Sequence, residues 1–240
     1  MSELPPQAPG RRERLIVALD LPSAAEARAL VERIGEAACF YKIGLELFTS
    51  GGAFELLEWL VARGNKVFAD LKLYDIPETV RRAVANLRSS GASFLTVHGQ
   101  RSILEAAAGE KGALKILAVT VLTSFDASDL AEMGPGADVG KLVSSRARHA
   151  LEAGCDGVIC SGLEAPAIRA QFGQRLLVVT PGIRPAGNRP GDDQKRTVDV
   201  AQAFANGADY IVVGRPVRDA ADPRAAAEAI QATIGSVFAR

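Results

Sequence analysis

Asp70, Lys72 and Asp75 fall within six positions of one another, in the stretch Phe68-Ala-Asp-Leu-Lys-Leu-Tyr-Asp-Ile-Pro77. The run that carries the first two, Lys66 to Lys72, otherwise has the composition of a buried strand. Successive side chains of a strand alternate faces, so Asp70 and Lys72 should share one face and Leu71 and Leu73 the other. An ionised group in a core is costly unless paired, and an isolated one neutralises by shifting its pKa. A carboxylate beside an ammonium, with a second carboxylate close by, therefore points to a prepared electrostatic site that can hold charge and move a proton. The plainer alternative is a structural ion pair, with Asp75 capping the helix that Pro77 opens.

Short apolar, β-branched runs recur along the chain and must position these charges. They lie at Leu15–Asp20, Phe40–Gly44, Lys66–Lys72, Phe94–His98, Lys115–Leu122, Gly157–Cys160, Leu176–Thr180 and Tyr210–Gly214. Between most of them lie Ala-, Leu-, Glu- and Arg-rich stretches with helical spacing, such as Ser23–Gly35, Gly52–Arg63, Glu78–Ser89, Val139–Ala153 and Val198–Asn206. Ser23 before Ala24-Ala25-Glu26 fits a helix start, and Gly91, Gly154 and Gly207 fit helix stops. Strand followed by helix, eight times over, predicts an α/β fold, a single (β/α)8 TIM barrel. With 240 residues the chain matches such a barrel, which takes about 250. No Pro-rich linker interrupts the series, so residues 11–240 are expected to form one catalytic domain behind a disordered extension at 1–10 (MSELPPQAPG).

Barrels of this kind place their chemistry at the carboxyl ends of the strands. Asp20 ends the first run, Lys42 lies near the end of the second, and Asp70 and Lys72 end the third, so all four should converge on one mouth. His98 ends the fourth in the same way, but a hydrogen-bonded wall residue is the better reading of a lone His, and it is left out of the core set. The seventh run leads into Thr180-Pro181-Gly182-Ile183-Arg184 and the eighth into Gly214-Arg215-Pro216-Val217. Loops after strands 7 and 8 often bind phosphate through backbone N–H groups, and the Arg215 fork matches phosphate oxygens. Arg184 to Arg196 (RPAGNRPGDDQKR) is long and irregular for a βα turn. It is expected to be a lid whose closure brings Gln194 to a bound ligand and excludes water.

Composition narrows the partners. Lys+Arg and Asp+Glu are equal at 28 each, so no global basic field attracts nucleic acid and any anion site must be local. No apolar run approaches the roughly 18 residues needed to span a bilayer, and the amino-terminal ten lack the apolar core of a signal peptide. A cytoplasmic protein with no membrane partner is expected. Cys39, Cys155 and Cys160 contain no CxxC, and His98 and His149 are the only histidines, which argues against a disulfide framework or a zinc site.

Together the motifs Leu15-Ile-Val-Ala-Leu-Asp20, Tyr41-Lys-Ile-Gly44, Asp70-Leu-Lys-Leu-Tyr-Asp-Ile-Pro77, Val121-Leu-Thr-Ser124, Thr180-Pro-Gly-Ile-Arg184 with Gln194, and Val213-Gly-Arg-Pro216 are highly specific. The chain, from Leu15 to about Val237, resembles the orotidine 5′-phosphate decarboxylase family, whose members convert orotidine 5′-monophosphate to UMP and CO2 in pyrimidine nucleotide synthesis. The resemblance implies a homodimer that needs neither cofactor nor metal, with two sites at the subunit interface. It implies an alternating charge network of Lys42, Asp70, Lys72 and, from the neighbouring subunit, Asp75, with Thr79 of that subunit alongside. Asp20 and Lys42 would hold the ribose hydroxyls, Thr123 and Ser124 would meet the pyrimidine, Arg184, Gln194, Gly214 and Arg215 would grip the phosphate, and Pro181 would also bind substrate. Lys72 would stabilise the carbanion left at C6 and then protonate it. Magnesium-dependent barrels of the same suprafamily share DxKxxD but carry Glu where this chain has Lys42, and an ammonium there repels a divalent cation.

Overall fold

The computed structural model describes residues 9–125, 138–184 and 197–239. Apart from Pro9 and Gly10, the expected extension lies outside them, as does Gln194 with the rest of the expected lid after Arg184.

A short turn of 3-10 helix, Arg11–Arg14, leads into β1 (Leu15–Ala18). The series continues with α1 (Ala24–Ile34), β2 (Phe40–Gly44), α2 (Leu45–Ser50), α3 (Ala53–Ala62), β3 (Lys66–Leu73), α4 (Pro77–Leu87), β4 (Phe94–His98), α5 (Arg101–Glu110) and β5 (Lys115–Val119). It ends with α6 (Val139–Glu152), β6 (Gly157–Ile159), α7 (Ala165–Phe172), β7 (Leu177–Thr180), α8 (Val200–Ala205), β8 (Tyr210–Val213), α9 (Arg215–Arg218) and α10 (Pro223–Val237). Among the described residues, eight parallel strands pair in chain order, and β8 returns to β1 through Leu15–Ile211, Ile16–Val212 and Val17–Val213, closing the (β/α)8 barrel.

Both faces of each strand are covered, which is why the strands are apolar runs rather than half-polar ones. One face fills the barrel interior with Ile16, Phe40, Phe68, Phe94, Leu117 and Tyr210 among others. Phe94 packs against Phe40 at 5.0 Å and edge-on against Tyr210 at 5.1 Å between ring centroids. The other face, with Leu15, Val17, Tyr41 and Ile43, packs on the helices. The helix signals have local causes. Ser23 Oγ accepts the Glu26 amide at 3.2 Å to start α1, and Gly91, Gly154 and Gly207 take positive φ beyond α4, α6 and α8.

One alternative falls and one expectation changes. Ile76, not Asp75, stands at the N-cap of α4, and the Asp75 carboxylate accepts the Ile76 amide at 2.7 Å, so Asp75 is no helix cap. Strand β3 also breaks its alternation. Its register with β4 runs Phe68–Phe94 and Ala69–Leu95, then resumes at Leu73–Val97. Asp70, Leu71 and Lys72 together therefore oppose the single residue Thr96, a bulge in which Lys72 takes φ +48. For a residue with a Cβ that conformation costs about 1 kcal/mol or more, and strain of this kind gathers at functional sites.

Candidate active site

Continuing the interior alternation beyond the apolar layers leads from Ala18 to Asp20, from Phe40 to Lys42, from Phe68 to Asp70 and from Phe94 to Thr96. The charged layer is thus the next one up, at the carboxyl ends of the strands. It lines a cavity of about 590 Å³, within the usual size of small-molecule sites, roughly 300–1,000 Å³. The apolar floor comes from Ala18, Phe68, Val119, Ile159 and Val212.

Four charges of alternating sign run across this mouth. Lys42 Nζ meets Asp20 Oδ1 at 2.9 Å and Asp70 Oδ2 at 3.3 Å, and Lys72 Nζ meets the same Asp70 Oδ2 at 2.8 Å. Lys42 and Asp70 are each only 8% exposed. Burial opposes the Lys42 ammonium, yet Asp70 and Asp20 outweigh it and hold its pKa above the ordinary lysine value. Burial likewise opposes the Asp70 carboxylate, but Lys42, Lys72 and hydrogen bonds from Lys72 and Thr96 hold its pKa below the usual carboxylate value. Both groups therefore stay ionised at neutral pH. The Lys72 side chain is more open, 31% exposed, so its ammonium can serve Asp70 and still face the cavity.

Supporting contacts explain the placement. A Cβ at Gly44 would come within 3.0 Å of Lys42 Nζ and 3.2 Å of Asp20 Oδ1, so the missing side chain there makes room for the first ion pair. Arg218 of α9 donates to the Asp20 carbonyl at 2.7 Å, tying the loop after β1 to the short helix after β8. Thr96 Oγ1 donates to Asp70 Oδ1 at 2.8 Å and accepts the Lys72 amide at 2.9 Å.

Thr123, Ser124, Pro181, Arg184, Gly214 and Arg215 line the same cavity, opposite or beside the ion chain. Among its described lining residues, cations outnumber carboxylates five to three, and Arg184, Arg215 and Arg218 gather on the side of β7 and β8. An anionic group would be held there. Asp75 and Thr79 lie elsewhere. They are exposed and line a shallow depression with Tyr74 and Val80, outside the cavity of their own chain. Lys72 borders both hollows. Tyr74 and Ile76, on either side of Asp75, are 64% and 66% exposed. His98 does not line the cavity. It packs its half-buried ring on Tyr74 at 4.9 Å, and burial, then the nearby Arg146 and Lys72 charges, lower its pKa so that it is neutral at pH 7.

Sequence reasoning missed Thr96, Glu46 and Arg218 at this mouth. The alternation from Phe94 was a signal for Thr96, whereas nothing local distinguishes Glu46 or Arg218 from solvated helix residues.

A family model described as "Orotidine 5′-phosphate decarboxylase / HUMPS family" matches residues 13–230. A protein of Methylococcus capsulatus (strain Bath) named orotidine 5′-phosphate decarboxylase is 62% identical over 227 residues, 95% of this chain and 94% of that one. One of the same name from Methylobacterium radiotolerans is 54% identical over 93% of this chain and 96% of its own. The crystal structure of orotidine 5′-phosphate decarboxylase from Lactobacillus acidophilus superposes with a TM-score of 0.82 at 35% identity, covering 92% of this chain and 99% of that chain.

Proposed function

Because the chain belongs to the orotidine 5′-phosphate decarboxylase / HUMPS family, we propose that it decarboxylates orotidine 5′-monophosphate to UMP and CO2 in pyrimidine nucleotide synthesis. The observation that carries this reading is the Asp20–Lys42–Asp70–Lys72 ion chain, set in one cavity with the Arg184 and Arg215 side. A phosphate held by Arg215, Arg184 and the Gly214 backbone, with Gln194 joining them, directs the pyrimidine toward Lys72. Asp20 and Lys42 hold the ribose hydroxyls, and Thr123, Ser124 and Pro181 border the base.

The bond from C6 to the carboxylate carbon breaks, CO2 leaves, and the electron pair stays on C6 in the ring plane, outside the π system. The Lys72 ammonium stabilises that pair and then gives C6 its proton. Asp70 repels the departing carboxylate. Two such charges about 4 Å apart contribute roughly 4 kcal/mol at an effective dielectric of 20. Enzymes lower barriers by up to about 23 kcal/mol, so the preorganised ammonium, positioned by phosphate binding energy, carries more than the repulsion.

Asp75 and Thr79 enter the neighbouring subunit's site in a homodimer, which accounts for their exposure outside their own cavity. The reading needs no cofactor or metal. Lys42 contacts both Asp20 and Asp70, and an ammonium there opposes a divalent cation that wants oxygen ligands. It also places the work in the cytoplasm, in one catalytic domain at 11–240 behind the short extension. No described helix is long and apolar enough to cross a membrane.

Purified protein should convert orotidine 5′-monophosphate to UMP in excess EDTA, followed by absorbance. No turnover, with activity on a sugar phosphate restored by Mg²⁺, would move the chain to the metal-dependent branch of its family. The phosphate role has its own test. Arg215→Ala should weaken UMP binding by about 2 kcal/mol or more, at least ~30-fold, because a charge-assisted contact to an anion is lost. Unchanged UMP affinity would remove Arg215 from the phosphate site.

A further inference from the structure

Thr96 is fully buried, and its hydroxyl makes two bonds that meet at the reacting end of the site. The first holds Asp70 Oδ1, leaving Oδ2 to face both ammoniums, at 2.8 Å from Lys72 and 3.3 Å from Lys42. The terminal torsion of a carboxylate is soft, so a carboxylate fixed at one oxygen only can rotate. The second bond takes the Lys72 amide, which the bulge in β3 removes from the regular strand ladder. That amide belongs to the one residue with a Cβ and positive φ among those described. A hydroxyl can donate once and accept at the same time, so a single oxygen satisfies both demands. Threonine also has a stiff χ1, which points that oxygen consistently. No apolar residue of the same shape can do this.

We propose that Thr96 is a positioning residue for the decarboxylation, a clasp from β4 that orients the Asp70 carboxylate and fixes the strained turn at Lys72. This rests on the decarboxylase reading above. Thr96 is fully buried and does not line the cavity. It acts through Asp70 and Lys72, so its loss misplaces the proton donor without removing any group that binds phosphate, ribose or base.

The test compares wild type with Thr96→Val, which keeps the shape, and Thr96→Ser, which keeps the hydroxyl. In Thr96→Val, kcat should fall ~10–100-fold, the usual effect of a small misplacement of reacting groups. The UMP dissociation constant should stay within about twofold, since ground-state contacts are untouched. Thr96→Ser should recover most of kcat. A merely structural role would instead lower the fraction of protein able to bind UMP, with kcat per binding site unchanged. Hydrogen exchange of the Lys72 amide, followed by NMR, should be at least ~10-fold faster in Thr96→Val, because its acceptor is gone. Wild-type kcat per site in Thr96→Val would overturn the proposal, as would a loss that Thr96→Ser shares. Should Thr96→Val not fold, Thr96→Cys keeps the size with a weak donor, and wild-type kcat in that variant would be equally fatal. Wild-type protein without turnover would defeat the decarboxylase reading and the catalytic role of Thr96 with it. Lys72 exchange would then judge the clasp separately, and unchanged exchange would refute that too.

Discussion

Lys72→Ala is expected to lower kcat by at least ~10⁴-fold while UMP binding remains measurable. The substitution removes two contributions at once. Loss of a positioned proton donor costs about 10²–10⁴-fold, and loss of a preorganised charge aimed at the developing anion about 10²–10³-fold. The two act on one transition state, so the losses compound. Folding should survive. Lys72 is partly exposed, Asp70 keeps its contact with Lys42, and Ala carries the same Cβ as Lys into the φ +48 position, so no new backbone strain arises. Lys72→Gly supplies a control: it loses the same ammonium but relieves that strain, and should melt no lower than Lys72→Ala. Single-turnover measurement at saturating substrate is the appropriate assay, since it reports the chemical step apart from product release. Turnover within tenfold of wild type would sink the assignment of Lys72.

The proposed sharing of the site between two subunits gives the second large effect. Asp75→Asn alone is expected to depress turnover by about 10²-fold or more, because it removes a charge aimed at the reacting centre. Lys72→Ala and Asp75→Asn, each nearly inactive, should restore one another when coexpressed. In a mixed dimer one site carries both substitutions and the other carries neither. Random pairing makes half of the dimers mixed, so recovery should approach roughly a quarter of wild-type activity. The result depends on where Asp75 lies: exposed between Tyr74 and Ile76, bordering a depression that Lys72 also borders, and outside its own chain's cavity. Activity no greater than the sum of the two variants measured alone would place both residues in one chain's site and dismiss the shared arrangement.

The barrel was largely legible because its signals are local. A buried parallel strand must be apolar on both faces, and a helix packed on one side must show helical spacing, so the strand and helix series could be counted directly. Asp70 and Lys72 stood out for the same reason, as charges in a run that burial would otherwise keep apolar. Thr96 did not stand out, since a threonine in a strand is ordinary and its two bonds reach residues 26 and 24 positions away. Alternation also misjudged β3 in detail. It foresaw Asp70 and Lys72 meeting, but as neighbours on a regular strand rather than across a bulge with a left-handed Lys72. The alternative of Asp75 as a helix cap failed because Ile76 holds that position.

By itself the sequence determined the order of elements, the closed barrel they imply, and the ends of strands on which charge had to appear. Each of these follows from short-range alternation, helical spacing and the cost of burying an unpaired ion. Only the tertiary structure decided that one oxygen of Asp70 serves two ammoniums, that Thr96 holds the other, and that Asp75 points away from its own cavity. These are matters of a few tenths of an ångström between segments distant in the chain, such as Arg218 against the Asp20 carbonyl 198 positions away. Such distances are set by the packing of the closed barrel rather than by any local preference, because close-packed interiors transmit a shift in one strand to its neighbours.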